Sequence, residues 1–262
     1  MVARQSAYAA DAYLYDRRTL AFQGFRRAIV DALPLRPGDT VLDVGCGTGL
    51  TLVLASERGA VPSGVDISPG LLAIARDRLP HAALREADME SLPFGDAAFD
   101  AVTGVNAFQF AGDPRRALGE AARVTRPGGR VVASLFAAPE RSEGTVAHEA
   151  MTALIPPERA GDHAPYALSA PGNLESSLAS AGLTLDGSGE VVCRWLYADM
   201  DEAIRALLCS AGGARAAEAA GPHAVRDALR PALAQFQDAR TGAVTLRNTF
   251  RWVAARRRPQ SR

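Results

Sequence analysis

The chain has no lysine: its 29 basic residues are all arginine, set against 29 acids, for a net charge of zero. A lysine Schiff base and a Walker-type phosphate loop, which depends on its lysine, are thereby excluded. The charge balance gives no global pull toward nucleic acid or an anionic membrane. Cysteine is scarce: Cys46, Cys193 and Cys209 lie far apart and form no C-x-x-C pair, so a reduced setting is the simplest expectation. No run approaches the roughly 18 apolar residues of a membrane span, and the opening MVARQSAYAADAYLYDRR has no apolar signal core. A soluble, cytoplasmic protein is expected. Four scattered histidines (His81, His148, His163, His223) and no cluster of acids at strand ends predict no metal site.

What is present is an ordinary globular composition, 48% hydrophobic and 22% charged, over 262 residues. That is enough for one large domain or a core with a cap. From Thr40 onward short apolar runs alternate with helical stretches. Strands are predicted at Thr40–Val44, Val61–Asp66, Ala82–Glu86, Phe99–Asn106 and Arg130–Phe136. Between them fall helices at Leu50–Arg58, with Leu50, Val53 and Leu54 on one face, and at SPGLLAIARDRL, capped by Ser68. A third, DPRRALGEAARVTRPGG, opens on Asp113 and closes at Pro127-Gly128-Gly129. The alternation predicts an α/β fold, a doubly wound, mainly parallel sheet with helices on both faces. Beyond it come a loop-and-helix excursion (137–170), a short helix (PGNLESSLASAGL), a strand (GEVVCRWLYAD), two or three helices over 199–240 and a long final strand (AVTLRNTFRWVAARR). The division expected is an N-terminal helical lid (1–37), a ligand-binding core (38–136), and the rest of the sheet with an inserted helical substrate cap (137–262).

VLDVGCGTGL, residues 41–50, turns a strand into a glycine loop. A dinucleotide fingerprint would read G-x-G-x-x-G; here the spacing is Gly45-x-Gly47-x-Gly49, with Leu50 where the third glycine would stand. Asp43 just before the loop would repel a pyrophosphate and suits a cationic or zwitterionic ligand. A nicotinamide-type oxidoreductase is disfavoured on these grounds. Asp66 ends the second strand, where a carboxylate faces the ribose hydroxyls of a ligand lying across the strand ends. Such a charged, bidentate bond is worth on the order of 1.5–3 kcal/mol. The competing role, capping the next helix, belongs more naturally to Ser68.

VLDVGCGTG, VDISPGLLAIA, ADMESLPFGDAAFDAV and RVTRPGGRVVAS, in that order over residues 38–136, resemble the class I S-adenosylmethionine-dependent methyltransferases. The likeness is to the ubiquinone/menaquinone-biosynthesis type and its small-molecule relatives. It implies a Rossmann-like, seven-stranded sheet, S-adenosyl-L-methionine as cofactor and S-adenosyl-L-homocysteine as product. It also implies cofactor-binding roles for Asp43, Gly45, Cys46, Gly47, Gly49, Asp66, Ile67, Asp88, Met89 and Asn106. The glycines would let the backbone pass close to the methionine and ribose, Asp66 would take the ribose hydroxyls, and Ile67 would pack on the adenine. Asp88 and Met89 would meet the adenine, and Asn106 the methionine carboxylate or the donated methyl. Cys46 reads as a small buried filler.

The segment after the fourth strand, VNAFQF, has Gln109 where a histidine often stands and lacks the prolines of an N-P-P-Y-like turn. With no basic patch either, a nucleic-acid substrate is not expected. The acceptor expected is a small organic molecule, methylated on O, N or C, with secondary metabolism as one setting for it. His148 and His163 in the cap are the candidate bases for it. Tyr15, Phe108, Tyr166, Trp195 and Tyr197 are candidates to line its pocket, and Arg247 to hold a carboxylate on it. A monomer or homodimer is expected. The alternative is a regulatory protein that binds the cofactor without methyl transfer.

Overall fold

A computed structural model describes residues 23–156 and 167–259. Its elements are α1 (Gln23–Asp31), β1 (Thr40–Val44), α2 (Leu50–Ser56), β2 (Val61–Asp66), α3 (Pro69–Arg78), β3 (Ala83–Glu86) and β4 (Phe99–Val105). There follow α4 (Pro114–Val124), β5 (Thr125–Phe136), α5 (Thr145–Thr152), α6 (Asn173–Ser180), β6 (Leu183–Tyr197), α7 (Met200–Leu208), α8 (Ala211–Ala220), α9 (Pro222–Leu233) and β7 (Val244–Arg257). Among the described residues the strands form one seven-stranded sheet in the order β3-β2-β1-β4-β5-β7-β6. β1 to β5 are mutually parallel, and β7 runs antiparallel to both its neighbours. The sheet is therefore mainly parallel, as expected.

Central strands of a parallel sheet are covered on both faces, which is why β1 and β4 read as near-continuous apolar runs. Helix starts follow side-chain caps. The Ser68 hydroxyl accepts from Leu71 N, and the Asp113 carboxylate accepts from Arg115 N and Arg116 N at 3.0 and 3.1 Å, each ahead of a proline at the first turn. Asp199 caps α7 by accepting from Glu202 N, while Glu202 accepts in return from Ala198 N, both at 2.7 Å.

Two expectations are corrected. The third predicted helix ends at Val124 instead of Pro127-Gly128-Gly129, because Thr125 turns extended and pairs with Phe99. The register then shifts, and RPGG becomes an irregular start to β5. α2 buries Thr51, Leu52, Leu54 and Ala55 and leaves Leu50 and Val53 only half-buried, because it is gripped by α1 as well as the sheet.

One face of the sheet carries α1, α5 and the three helices between β6 and β7. Phe25, Ile29, Met151, Ile204, Leu207, Val225 and Leu229 pack there with Trp195, Leu246 and Phe250. α1, the described part of the expected lid, is thus a layer of the core: Phe25, Ile29 and Val30 are fully buried. An aromatic file crosses this face, Phe25 to Phe250 at 4.8 Å, Phe250 to Phe136 at 4.5 Å and Phe136 to Trp195 at 6.1 Å between ring centroids. The other face packs α4 and α6 over Val102, Phe108, Leu118, Leu174 and Leu178. Among the described residues no helix is long and apolar enough to cross a membrane.

Candidate functional site

Strand order reverses on the two sides of β1, with β2 on one side and β4 on the other. The crevice at such a switch point, beyond the carboxyl ends of the strands, is where doubly wound sheets take ligands. The glycine loop lies there. Gly45, Gly47 and Gly49 have φ of +69°, +54° and +80°, a region that costs any other L-residue roughly 1–2 kcal/mol. Close approach adds a second reason at two of them. A Cβ on Gly45 would stand 2.7 Å from the Ala107 Cβ, and one on Gly49 would stand 3.3 Å from Ala75 of α3.

The loop is tied down by Asp66. One carboxylate oxygen accepts from Gly47 N at 2.8 Å and the other from Ser68 N at 2.9 Å. Asp66 therefore bridges the loop to the end of β2, while Ser68 alone caps α3, as the sequence predicts. Burial raises its pKa above 3.8, and the backbone donors hold it back.

Asp43 is the more perturbed acid. It is 1% exposed, and Thr103 Oγ1, in register with it on β4, donates to Oδ1 at 2.7 Å. Burial pushes its pKa from 3.8 to about 7; bonds from Thr103 and Thr51 and the Arg26 guanidinium pull it down, and Asp66 pushes it up. Holding this carboxylate ionised above pH 7 costs the fold on the order of 4 kcal/mol, which a nearby cation would offset. Asp43, the loop, Arg26, Thr51 and Val105 line one pocket.

Cys46 also borders the pocket, but its sulfur fills the space beside Gly64, where a Cβ would meet Sγ at 2.8 Å. Burial raises its pKa well above the ordinary thiol value, so it is an inert filler. Ile67 is half-buried after β2. Asp88 is half-buried and accepts from Glu90 N at 2.9 Å, heading the turn that presents Met89, whose methyl lies beside Gly45. Asn106 directly follows β4 with φ of +56°; its N–H donates to Ser134 O at 3.0 Å, and its Oδ1 accepts from Gln109 Nε2 at 2.5 Å. Asparagine tolerates positive φ better than most residues, and two neighbours, Ser134 and Gln109, hold Asn106 there.

The residues expected around the acceptor are less concentrated. Phe108 does not face the crevice: it is 1% exposed in the opposite core, its ring filling the space that the missing side chain of Gly104 leaves. Trp195 and Tyr197 share one face of β6 as expected, but at 4% and 7% exposure they are packed core beneath α7, α8 and α9. His148 sits in a seam between helices, with Nε2 3.4 Å from Thr152 Oγ1 and Gly212 of α8 close to Nδ1; burial lowers its pKa. It is not placed as a base over the glycine loop. Arg247 is on the surface, paired with Glu143 at 3.2 Å. Tyr15, His163 and Tyr166 lie outside the described residues. Among the described residues no group of three or more His, Cys, Asp or Glu is arranged to hold a metal ion.

Sequence reasoning missed Arg26, Thr51 and Thr103. A polar residue inside the apolar β4 run was a usable signal for Thr103, since β1 and β4 are neighbours in this class of sheet. Nothing in FRRAIVD separates Arg26 from Arg27 without knowing which face of α1 is buried.

Comparison with known proteins agrees with this geometry. Residues 42–133 match the family model of a methyltransferase domain. Over 115 residues the chain is 40% identical to the demethylmenaquinone methyltransferase of Beutenbergia cavernae, covering 44% of this chain and 48% of that protein. It is 38% identical over 115 residues to the enzyme of the same name from Renibacterium salmoninarum, with the same shares covered. The chain thus spans about half the length of the curated relatives it matches. In fold, it is similar to the crystal structure of a putative methyltransferase from Bacillus halodurans, with a TM-score of 0.62 at 17% identity over 90% of this chain and 99% of that one. It is similar as well to the cyclase SpnF, with a TM-score of 0.59 at 22% identity over 90% and 81%. Residues 42–133 are thus similar to methyltransferase domains, on a fold shared with solved structures of that class. Within that class the likeness is to the demethylmenaquinone methyltransferases.

Proposed function

We propose that the chain binds S-adenosylmethionine at the glycine loop and methylates a small organic acceptor. The observation that carries this reading is the pairing of a buried acid and an arginine in one pocket. Asp43, whose buried charge wants a cation, and Arg26, which suits a carboxylate, border the same glycine loop. A zwitterionic amino-acid end satisfies both; a pyrophosphate satisfies neither Asp43 nor the absent lysine. When bound, S-adenosylmethionine supplies a methyl group on a sulfonium, already activated for displacement, and leaves as S-adenosylhomocysteine.

The chain's own residues then have binding and positioning roles. Arg26 takes the carboxylate of the amino-acid end. Asp43, ionised, faces its positive charge, with Thr103 fixing the carboxylate's orientation. Asp66, already polarised by two backbone donors, uses its remaining lone pairs for the ribose diol, and Ile67, Asp88 and Met89 border the adenine. Asn106, held by Ser134 and Gln109, stands at the end of β4 on the acceptor's side. With the leaving group so good, alignment is the main task, and proximity supplies roughly 7–11 kcal/mol. A histidine base is not part of the proposal for His148, which faces α8; His163 keeps that role in it. Acceptor recognition falls to the cap helices and the residues of 137–170, the acceptor being a small molecule and not a nucleic acid.

Isothermal titration with S-adenosylmethionine and with NAD tests the cofactor, and release of S-adenosylhomocysteine against a panel of quinols, phenols and amines tests turnover. Binding of the first ligand alone, followed by turnover, is expected. Binding without turnover across an exhaustive panel would favour a sensor, and binding of neither ligand would sink the proposal.

A further inference from the structure

β6 is the outermost strand of the sheet, and among the described residues no strand pairs with its outer side. An edge of this length normally carries a protection: a proline, a central bulge, a lysine or a covering element. β6 has no proline, and its single irregularity falls between Leu185 and Gly187, close to one end. That bulge is anchored, its extra residue Asp186 meeting Arg130 and, at 3.1 Å, Arg256. From Gly187 to Tyr197 the strand pairs with β7 without interruption. Val192 is the middle residue of that regular segment. Among the described residues the large hydrophobic side chains left exposed are Val61, Leu185, Val192 and Leu196, so three of the four lie on β6. Val192 and Leu196 are 60% and 69% exposed.

The charges along the same face are self-complementary. Glu190, Val192 and Arg194 point to one side of the sheet, as alternate residues of a strand do. In an antiparallel pair related by a two-fold axis, directly opposed residues share a face. With the axis through Val192, each Val192 meets its copy and Glu190 of each strand meets Arg194 of the other. One step of register either way sets Val192 against a charge, and two steps set Glu190 or Arg194 against its own copy. Only the register centred on Val192 matches unlike charges, and it is also the one that overlaps the whole regular segment. Glu190 already meets Arg141 of its own chain at 2.7 Å and has a second carboxylate oxygen to offer. Arg194 has no acidic partner among the described residues.

We propose that the protein is a homodimer in which two β6 strands pair antiparallel about Val192, joining the two sheets into one continuous sheet. The occupant of this edge is a second copy of the chain because the edge complements itself in length, register and charge. The interface lies at the opposite end of the sheet's order from β2 and β3, so the glycine loops stay open in both copies.

Sedimentation equilibrium of the full chain over a micromolar range, without added ligand, tests this. A dimer is expected, weakened about tenfold or more by Arg194→Glu, which puts like charges opposite each other. Glu190→Arg combined with Arg194→Glu restores the pairing, with circular dichroism confirming that each variant is folded. Hydrogen exchange reads the same edge directly: amides in 187–197 gain protection as concentration rises, and those of β3 do not. A monomer at every concentration, a dimer indifferent to Arg194→Glu, or a double variant no tighter than the single one would overturn the proposal.

Discussion

The glycine-loop side of the sheet and the β6–β7 side bury their polar groups in opposite ways. Around the loop backbone does most of the work, through three glycines at positive φ and the Gly47 and Ser68 amides that donate to Asp66, with the Thr103 hydroxyl on Asp43 the side-chain exception. Across the sheet, buried polarity is carried by side chains from distant elements. Asn248 of β7 is fully buried, accepts from Gly144 N at 2.9 Å, and keeps Nδ2 without a hydrogen-bond partner among the described residues, next to Trp195. A site made of backbone demands particular residues at fixed spacing. A face made of side chains only asks that volumes and polarity be matched in space. The matched family segment, residues 42–133, stops where the first regime ends.

Substitutions should separate the two sides by their effect on cofactor affinity. The largest loss is expected for Gly45→Val, which places a branched side chain at φ +69° against Ala107. Strain and clash of about 3 kcal/mol predict roughly a hundredfold weaker binding of S-adenosylmethionine by titration. Unchanged affinity would mean the ligand does not lie along this loop. Asp66→Ala removes the acceptor for the Gly47 and Ser68 amides and the proposed diol contact, and at least about tenfold is expected. If Asp66→Ala loosens the fold, as a thermal melt would reveal, while ligand affinity holds, its role is confined to tying the loop.

Asp43→Asn is expected to change affinity only severalfold at pH 8 and to alter the pH response of stability. In the wild type the folded pKa, about 7, lies above the unfolded 3.8. Below about pH 4 the group is protonated in both states and costs nothing. Between 4 and 7 only the folded chain holds the proton, so stability falls as pH rises, by about 1.4 kcal/mol per pH unit at most, and levels off above 7. Denaturant melts should show that Asp43→Asn gains on the wild type across this window; parallel curves would place the perturbation elsewhere. The smallest effect on the cofactor is expected for Trp195→Leu, less than about twofold, although the lost core volume costs roughly 2–4 kcal/mol in stability. A loss of cofactor affinity as large as that of Asp66→Ala would erase the distinction between the two sides.

The same distinction explains what could be read in advance. β1 and β2 have the predicted bounds, and Ser68 and Asp113 cap the predicted helices, because each rests on neighbours within a few positions. The tight turn of the three glycines and the place of Asp66 at the end of β2 were legible for the same reason, while their ligand roles belong to the proposed function. Arg26 was not, since its partner Asp43 comes from another element and only the packing of Phe25 and Ile29 decides which arginine turns inward. Phe108 was misplaced because an aromatic beside a site has the same local pattern whether it faces the ligand or, as here, fills the hollow over Gly104. The end of α4 was overrun because proline and glycine mark a break without saying whether helix or strand resumes; pairing of Thr125 with Phe99 decides it.

In the proposed function a buried acid and an arginine at the glycine loop receive the zwitterionic end of S-adenosylmethionine. The most direct test is calorimetric titration of that ligand at pH 6 and pH 8 in buffers of different ionisation enthalpy. A cation beside Asp43 lowers a pKa that stands at about 7 in the free protein, so binding at pH 6 should release a measurable fraction of a proton and be severalfold weaker than at pH 8. Asp43→Asn should abolish both the proton release and the pH dependence. Tight binding with no proton release and equal affinity at the two pH values would contradict the account.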